Sequence, residues 1–115
     1  MAFDFEKFHV YIEALQFIKE TDDFLSSISS KSNSGLIDQL QRASMSIALN
    51  IAEGAGRFHK ADKRNYYVIA RGSVYECTAC LQIFFNKSLL EKDKHEHFYL
   101  QLNELAKQLS ALINS

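Results

Sequence analysis

Apolar residues recur along the chain at intervals of three, four and seven, the spacing of an amphipathic helix. Four such segments are separated by short polar stretches, and they predict helices over residues 4–28, 36–53, 61–86 and 93–113. Short connections place consecutive helices side by side and antiparallel. We therefore expect a single all-α domain, residues 1–115, folded as an up-down antiparallel four-helix bundle.

Each predicted helix carries one apolar stripe, and we expect the stripes to meet in a common core. A chain of 115 residues buries enough surface for one such core. The stripe positions are Phe5, Phe8, Ile12, Leu15, Ile18, Leu25 and Ile28 in the first helix, Leu36, Leu40, Ala43, Ile47 and Ile51 in the second, Tyr66, Ala70, Ser73, Cys77, Leu81 and Phe84 in the third, and Phe98, Leu102, Leu105, Leu109 and Leu112 in the fourth.

The second helix is apolar on more than one side. From Ala43 to Gly56 its only ionisable residue is Glu53, and a helix of this kind is normally buried on several faces. In so small a domain, this pattern predicts a subunit interface. We expect Gly54 and Gly56 to end the helix, with glycine supplying the left-handed conformation of the C-cap.

Charge is distributed unevenly along the chain. The absence of proline and the presence of only four glycines favour a few long helices, while the net charge of −1 selects no partner. Both flanks carry an acidic excess, but the central segment is basic, which indicates an anionic partner unless surface charges merely segregate. Between residues 42 and 75, two acids (Glu53, Asp62) stand against Arg42, Arg57, Lys60, Lys63, Arg64 and Arg71.

Nothing at the start of the chain predicts a targeting segment. No basic stretch followed by an apolar one is found there, and no apolar run approaches the roughly 20 residues of a membrane span. Two cysteines are compatible with a reducing compartment. We expect a cytoplasmic protein that makes no membrane contact.

Two short motifs have the spacing of metal or redox sites, and neither is specific. Cys77 and Cys80 match C-x-x-C, but structural zinc needs four ligands and a redox pair belongs at a helix N-terminus. We interpret them as buried core thiols. His95 and His97 are two residues apart and so point to different sides of a helix. We expect no metal, no cofactor and no catalytic residue, and hence a non-enzymatic protein.

A polar stripe runs along the second helix through Gln39, Arg42, Ser46, Asn50 and Glu53, at spacings of three and four. Buried polar groups must find hydrogen-bond partners. Such a stripe can form a ligand or catalytic site, or a structural network that fixes the register of the helices. We favour the structural network, in which Glu53 is buried and paired with a basic residue such as Arg71.

A second stripe, on the third helix, combines basic residues with tyrosines. Basic side chains can neutralise phosphates, and tyrosines can stack on bases. The alternative is a solvated face whose tyrosines pack against other subunits. The stripe contains Lys60, Arg64, Tyr67, Arg71 and Tyr75, and the candidate nucleic-acid-binding residues are Arg57, Lys60, Lys63, Arg64 and Arg71.

The run from Gln39 to Arg57, followed by Ile69–Ser73 and Glu76, resembles the bacterial four-helix bundle protein family. Its members are often encoded within intervening sequences of 23S ribosomal RNA genes. The terminal helices match the family only in length and pattern. The residues that fit the family pattern are Arg42, Ser46, Asn50, Glu53, Gly54, Arg57, Ala70, Gly72, Ser73 and Glu76.

The chain departs from the family at several positions. Residues 29–35 replace a turn that usually contains proline. His59 and Asp62 stand where the family has the serine and acid of a capping box, which weakens the expected start of the third helix. Cys80 replaces a polar residue. Lys63 stands where an aromatic residue is usual, which makes the connector more basic.

The resemblance implies an up-down bundle that assembles into a ring, typically a pentamer, with no enzymatic activity established for the family as a whole. The chain is also similar to the accessory protein of diversity-generating retroelements, a basic pentameric bundle that contacts nucleic acid and a reverse transcriptase. Two hypotheses follow. The first is a homo-oligomer that binds RNA or DNA non-specifically through a basic surface. The alternative is a protein-interaction scaffold or accessory subunit, for example of a reverse transcriptase, without direct nucleic-acid contact.

Overall fold

The computed structural model describes residues 3–115, which form four long helices and one short helical turn. Within this part of the chain no β-strand is present, and none of the helices is long and apolar enough to cross a membrane. The elements in chain order are a 3-10 helix (Asp4–Lys7), α1 (His9–Ser26), α2 (Ser34–Ala55), α3 (Lys60–Asn86) and α4 (Lys92–Ile113).

Each long helix packs against two others, in the order α1, α2, α3, α4 and back to α1. The bundle is 44 Å long and 22 Å across. The predicted all-α, up-down four-helix bundle is confirmed. One end of the bundle is formed by the end of α2, the start of α3 and the end of α4, and the candidate cations lie there.

Aromatic side chains join α1 to α3 and to α4 in the core. Phe17 of α1 meets Phe98 of α4 edge to face, with ring centroids 5.9 Å apart. Phe24 of α1 meets Phe84 of α3 in the same way at 5.3 Å. Such edge-to-face pairs add to the stabilisation that burial of the rings already provides. The predicted stripes of α2, α3 and α4 largely face this core.

The predicted core-facing side of α1 is wrong in part. Ile12 and Leu15 are 52% and 46% exposed. The predicted first helix is also interrupted at Phe8, whose ψ of 126° is extended, so Phe5 and Phe8 do not belong to α1. Thr21 is buried without penalty because its hydroxyl donates to the Ile18 carbonyl at 2.9 Å. Leu25 of the predicted stripe is buried, and the other buried residues of α1 are Val10, Ala14, Phe17, Thr21 and Phe24.

The prediction that glycine ends α2 in a left-handed conformation is also wrong. α2 continues through Gly54 to Ala55, and Gly56 has a right-handed φ of −81°. Gly54 is buried where α3 crosses. A Cβ at this position would lie 2.8 Å from Cε1 of Tyr67 and 3.1 Å from the Lys63 carbonyl oxygen. The glycine therefore serves the close approach of α2 and α3.

A left-handed cap does occur, at the end of α3. Ser88 has φ 63°. The Leu89 amide donates to the Phe84 carbonyl and the Ser88 amide to the Phe85 carbonyl, each at 3.0 Å. These two bonds define a Schellman motif, which satisfies carbonyls that the helix end leaves free. The motif turns the chain toward α4 without a glycine.

Candidate nucleic-acid interface

Three of the five predicted nucleic-acid-binding residues come together in one cleft. Lys60, Lys63 and Arg64 lie in the first turns of α3 and line an open cleft of 490 Å³ against residues 112–115, which are the end of α4 and the two residues after it. α3 begins at Lys60, one residue before its predicted start, and its N-cap, His59, makes no side-chain capping bond, as the missing capping box predicts. No carboxylate side chain is among the residues that line this cleft.

The three cations differ in how freely they can meet a ligand. Lys60 and Arg64 are exposed, and within residues 3–115 neither forms an ion pair. Lys63 is half-buried, and its Nζ donates to the Ala55 carbonyl at 2.9 Å. That bond ties the start of α3 to the end of α2. Lys63 therefore has a structural role besides adding positive charge to the cleft.

Arg57 is not among the residues that line the cleft. Its Nη2 donates to Glu53 Oε2 at 2.9 Å and to the Tyr66 hydroxyl at 2.7 Å. The guanidinium also lies over the Tyr66 ring, 4.7 Å from the centroid. Arg57 is thus held against α2 and α3, and part of its charge is already neutralised.

The predicted burial of Glu53 and its pairing with Arg71 are wrong for this protomer. The Glu53 side chain is 53% exposed, and its partner Arg57 lies one helical turn away. Arg71 instead donates from Nη1 to Ser110 Oγ of α4 at 3.1 Å. Arg71 follows Lys60 and Arg64 at helical spacing on the side of α3 that faces α4, so these three residues form one basic face.

The tyrosines of the predicted stripe separate into two environments. Tyr67 is only 5% exposed and packs between α2 and α3. Burial raises the pKa of its hydroxyl, and its ring cannot stack on a ligand. Tyr75 is 68% exposed. The prediction of a stacking role is therefore wrong for Tyr67 and stays open for Tyr75.

Sequence reasoning missed the contribution of α4 to this surface. Ser110 bonds Arg71, and residues 112–115 form one wall of the cleft. The available signal was topological, because antiparallel neighbours bring the end of α4 beside the start of α3. Tyr99 of α4 was also missed. It is exposed and lies near Tyr75, since both line a second cleft between α3 and α4.

Part of the predicted polar network exists. Asn50 Nδ2 donates to the carbonyl and the hydroxyl of Ser46, at 2.8 and 3.0 Å, and Ser73 Oγ of α3 donates to Ser46 Oγ at 2.8 Å. The bonds that cross from α2 to α3, and so fix the register of the two helices, are the Ser73–Ser46 bond and a bond that Gln39 Nε2 donates to Glu76 Oε2. Arg42 is exposed and forms no ion pair within the described residues. With Glu53 also outside, the network is smaller than predicted.

The remaining motifs are structural. Cys77 and Cys80 are free thiols buried in the core, as predicted, and burial raises the pKa of both. His97 Nε2 lies 2.6 Å from Glu20 Oε1, and His95 stacks on Phe85. No group of three or more His, Cys, Asp or Glu in residues 3–115 is arranged to hold a metal ion.

Fold and cleft together define a small helical-bundle protein with a cationic end. The family model described as 23S rRNA-intervening sequence protein matches residues 6–111, and the chain belongs to this family. It is similar in fold to a protein of unknown function from the S23 ribosomal protein family of Bacteroides thetaiotaomicron. The TM-score is 0.84 at 20% identity, over 92% of this chain and 99% of that one. No curated protein matches the chain.

Proposed function

We propose that this chain is a non-enzymatic, homo-oligomeric bundle that binds RNA or DNA through its basic surface without reading base sequence. The observation that carries the proposal is the cleft in which Lys60, Lys63 and Arg64 meet without an acidic side chain. A nucleic-acid backbone is a regular polyanion that such a cluster can neutralise.

The basic surface extends beyond the cleft. Lys60, Arg64 and Arg71 lie on one side of α3, over about 16 Å of helix at 1.5 Å per residue. Contacts to phosphates set the position of a nucleic acid but carry no sequence information. A surface made of these side chains should therefore bind RNA and DNA of different sequences with similar affinity.

Self-association is supported by an apolar patch on the side of the bundle formed by α1 and α2. The side chains of Ile12 and Leu15 are exposed one turn apart on α1, and those of Met45 and Leu49 one turn apart on α2. We name these four residues the α1–α2 patch. It includes part of the uncharged stretch from which the sequence predicted an interface. Exposed apolar residues that form a patch mark interaction sites.

A ring requires two different complementary faces on each protomer. The outer side of α3 offers a second apolar face through Val68, Ile69 and Ile83, which are also exposed. We infer that the α1–α2 patch meets this face of a neighbouring protomer, in a pentamer as the family resemblance implies. Repetition of the basic surface around the ring would raise the overall affinity by simultaneous engagement of several copies.

The test is fluorescence anisotropy of labelled RNA and DNA with a charge-reversed variant and a matched control. In Lys60→Glu/Arg64→Glu the two exposed cations of the cleft are reversed, and Lys63 is kept because it bonds Ala55. The control, Lys92→Glu/Lys94→Glu, makes the same charge change at the exposed start of α4, at the other end of the bundle.

We expect the wild type to bind both nucleic acids, with an affinity that falls by a log–log slope of about 0.7 to 0.9 per phosphate contacted as salt rises. The cleft variant should lose roughly tenfold or more in affinity at low salt, and the control should lose far less. No binding by the wild type, or equal losses in both variants, would contradict the proposal. The protein-interaction scaffold would then be the better hypothesis.

A further inference from the structure

A second cleft lies between α3 and α4, and the basic face leads into it. It has a volume of 300 Å³, at the lower end of the range of about 300–1,000 Å³ for small-ligand pockets. Its apolar side chains include Val74 and Leu102, both 2% exposed, and Ala106. None of the residues that line it is charged. An ion is therefore not its natural occupant.

Two tyrosines line this cleft and are unusually exposed. Tyr75 of α3 is 68% exposed and Tyr99 of α4 is 51% exposed. Phenol rings offer flat surfaces on which another aromatic system can stack. Because the two tyrosines come from different helices, a planar ligand that enters the cleft can contact both.

Polar groups suited to the edge of a base accompany the tyrosines. Gln82 and Asn103 are exposed amides that line the same cleft. An amide has both donors and acceptors, as the edges of nucleobases do. Thr78 donates its hydroxyl hydrogen to the Val74 carbonyl at 2.9 Å, so its oxygen is left as an acceptor. The lining thus combines stacking surfaces with hydrogen-bonding groups and an apolar floor.

The cleft adjoins the basic face. Arg71 precedes Tyr75 by one helical turn, about 6 Å along the axis, and its bond to Ser110 places it at the boundary between α3 and α4. Lys60 and Arg64 continue the same side of α3 toward the end of the bundle. A strand whose phosphates follow these cations therefore has its next base beside the tyrosines.

We propose that the α3–α4 cleft receives an unpaired nucleobase between Tyr75 and Tyr99, and that the nucleic acid bound by this protein is single-stranded. This inference rests on the proposed function. Bases in a duplex are stacked on one another and cannot reach such a cleft, whereas unpaired bases can be splayed onto aromatic side chains. Stacking of this kind tolerates any base, which agrees with binding that does not read sequence.

Three probes of equal length separate the contributions of phosphates and bases. They are a labelled oligothymidylate, the corresponding duplex, and a strand with the same phosphates but no bases. We expect the full-length protein to bind the oligothymidylate roughly tenfold more tightly than the baseless strand. Tyrosine fluorescence should be quenched by the oligothymidylate but not by the duplex or the baseless strand, and it can be read directly because the sequence has no tryptophan.

Variants assign the effect to the cleft. Tyr75→Ala/Tyr99→Ala should lower the affinity for oligothymidylate to that for the baseless strand, and Tyr75→Phe/Tyr99→Phe should retain the wild-type affinity. Leu100→Ala is the control, because Leu100 is an exposed apolar neighbour of Tyr99 that does not line the cleft. Circular dichroism checks that each variant is folded.

Two failures can be told apart. If the wild type binds all three probes equally, the basic surface alone binds and the cleft does not take a base. If the alanine variant keeps its preference for bases, the bases are bound elsewhere and the cleft assignment is wrong. An occupant of another kind, such as an aromatic side chain of a protein, would give this same result. If no probe binds at low salt, the proposed function and this inference both fail.

Discussion

A Cβ atom added at Gly54 would lie 2.8 Å from Cε1 of Tyr67, closer than non-bonded carbon atoms can approach. The Tyr67 ring is only 5% exposed. The same Cβ would also meet the Lys63 carbonyl oxygen at 3.1 Å. This pair therefore sets how closely α2 and α3 pack at the end of the bundle where the cationic cleft lies.

Gly54→Ala should destabilise the protein although alanine is the better helix former. The helix preference is worth about 1 kcal/mol in favour of alanine, but overpacking of this kind costs about 1–3 kcal/mol. Gly35→Ala is the control, since it makes the same change in α2 where an added Cβ meets nothing within 4 Å. Urea denaturation should show a lower midpoint for Gly54→Ala and an unchanged or higher one for Gly35→Ala. A shift of both midpoints in the same direction would contradict this packing argument.

The pattern of apolar residues predicted the four helices and their order, but not which stripe of α1 is buried. Two stripes of α1 have helical spacing. One contains Ile12 and Leu15, and the buried one contains the small Ala14 and the polar Thr21. Hydrophobicity favours the first stripe. The second stripe tolerates burial because the Thr21 hydroxyl donates to the Ile18 carbonyl. Periodicity alone does not reveal this bond.

The sequence predicted which cationic residues form the candidate site, but not which other side chains they contact. The basic segment indicated Lys60, Lys63 and Arg64, and the structure places them in one cleft. Whether a cation is free depends on contacts made between helices. Arg57 is held by Glu53 and Tyr66, and no spacing rule distinguishes it from Arg64. Gly54 could not be assigned from the sequence for a similar reason. Close packing of two helices and a left-handed helix cap both favour glycine, and the sequence does not tell which of the two applies.

Glu53→Gln should change stability little and should strengthen nucleic-acid binding. The Glu53–Arg57 pair is solvent-exposed, and pairs of this kind contribute less than about 1 kcal/mol. Its loss leaves the charge of Arg57 available to phosphates. Glu96→Gln is the control, since it removes one exposed negative charge near the start of α4. Thermal melts and anisotropy at low salt measure the two effects. A loss of roughly 3–5 kcal/mol, typical of a stranded buried charge, would instead show that assembly buries Glu53.

The stability of the α1–α4 contact should depend on pH through Glu20. Burial alone would raise the pKa of its carboxyl, but hydrogen bonds with Gln16, His97 and Gln101 outweigh it and lower the pKa from its usual value of 4.5. A carboxyl whose pKa is lower in the folded state than in the unfolded state stabilises the fold at pH values above its unfolded-state pKa. That contribution is lost as the pH falls through the folded-state pKa.

The comparison of wild type with Glu20→Gln isolates this contribution. We expect the difference in unfolding free energy to be largest near neutral pH and to shrink as urea titrations move from about pH 6 toward about pH 3. Glu96→Gln should show no such trend, because that carboxyl is exposed. A difference for Glu20→Gln that is the same at every pH would mean that its hydrogen bonds do not favour the charged form.

Self-association can be tested with two leucines that differ in place but not in exposure. Leu49, in the α1–α2 patch, is 66% exposed and Leu100, on α4, is 67% exposed. An aspartate costs little at either position in an isolated protomer, because both side chains already meet solvent. In an interface with an apolar centre, however, a buried unpaired carboxylate is costly.

A stable ring should bury at least about 1,000 Å² at each contact, so Leu49→Asp should dissociate it and Leu100→Asp should not. Light scattering at micromolar concentration should give five protomer masses for the wild type and for Leu100→Asp, and one for Leu49→Asp. The dissociated variant should also bind nucleic acid more weakly, because each protomer then engages it alone. A wild type with the mass of one protomer would show that the apolar patch is not used for self-association, and dissociation by Leu100→Asp alone would move the interface to α4.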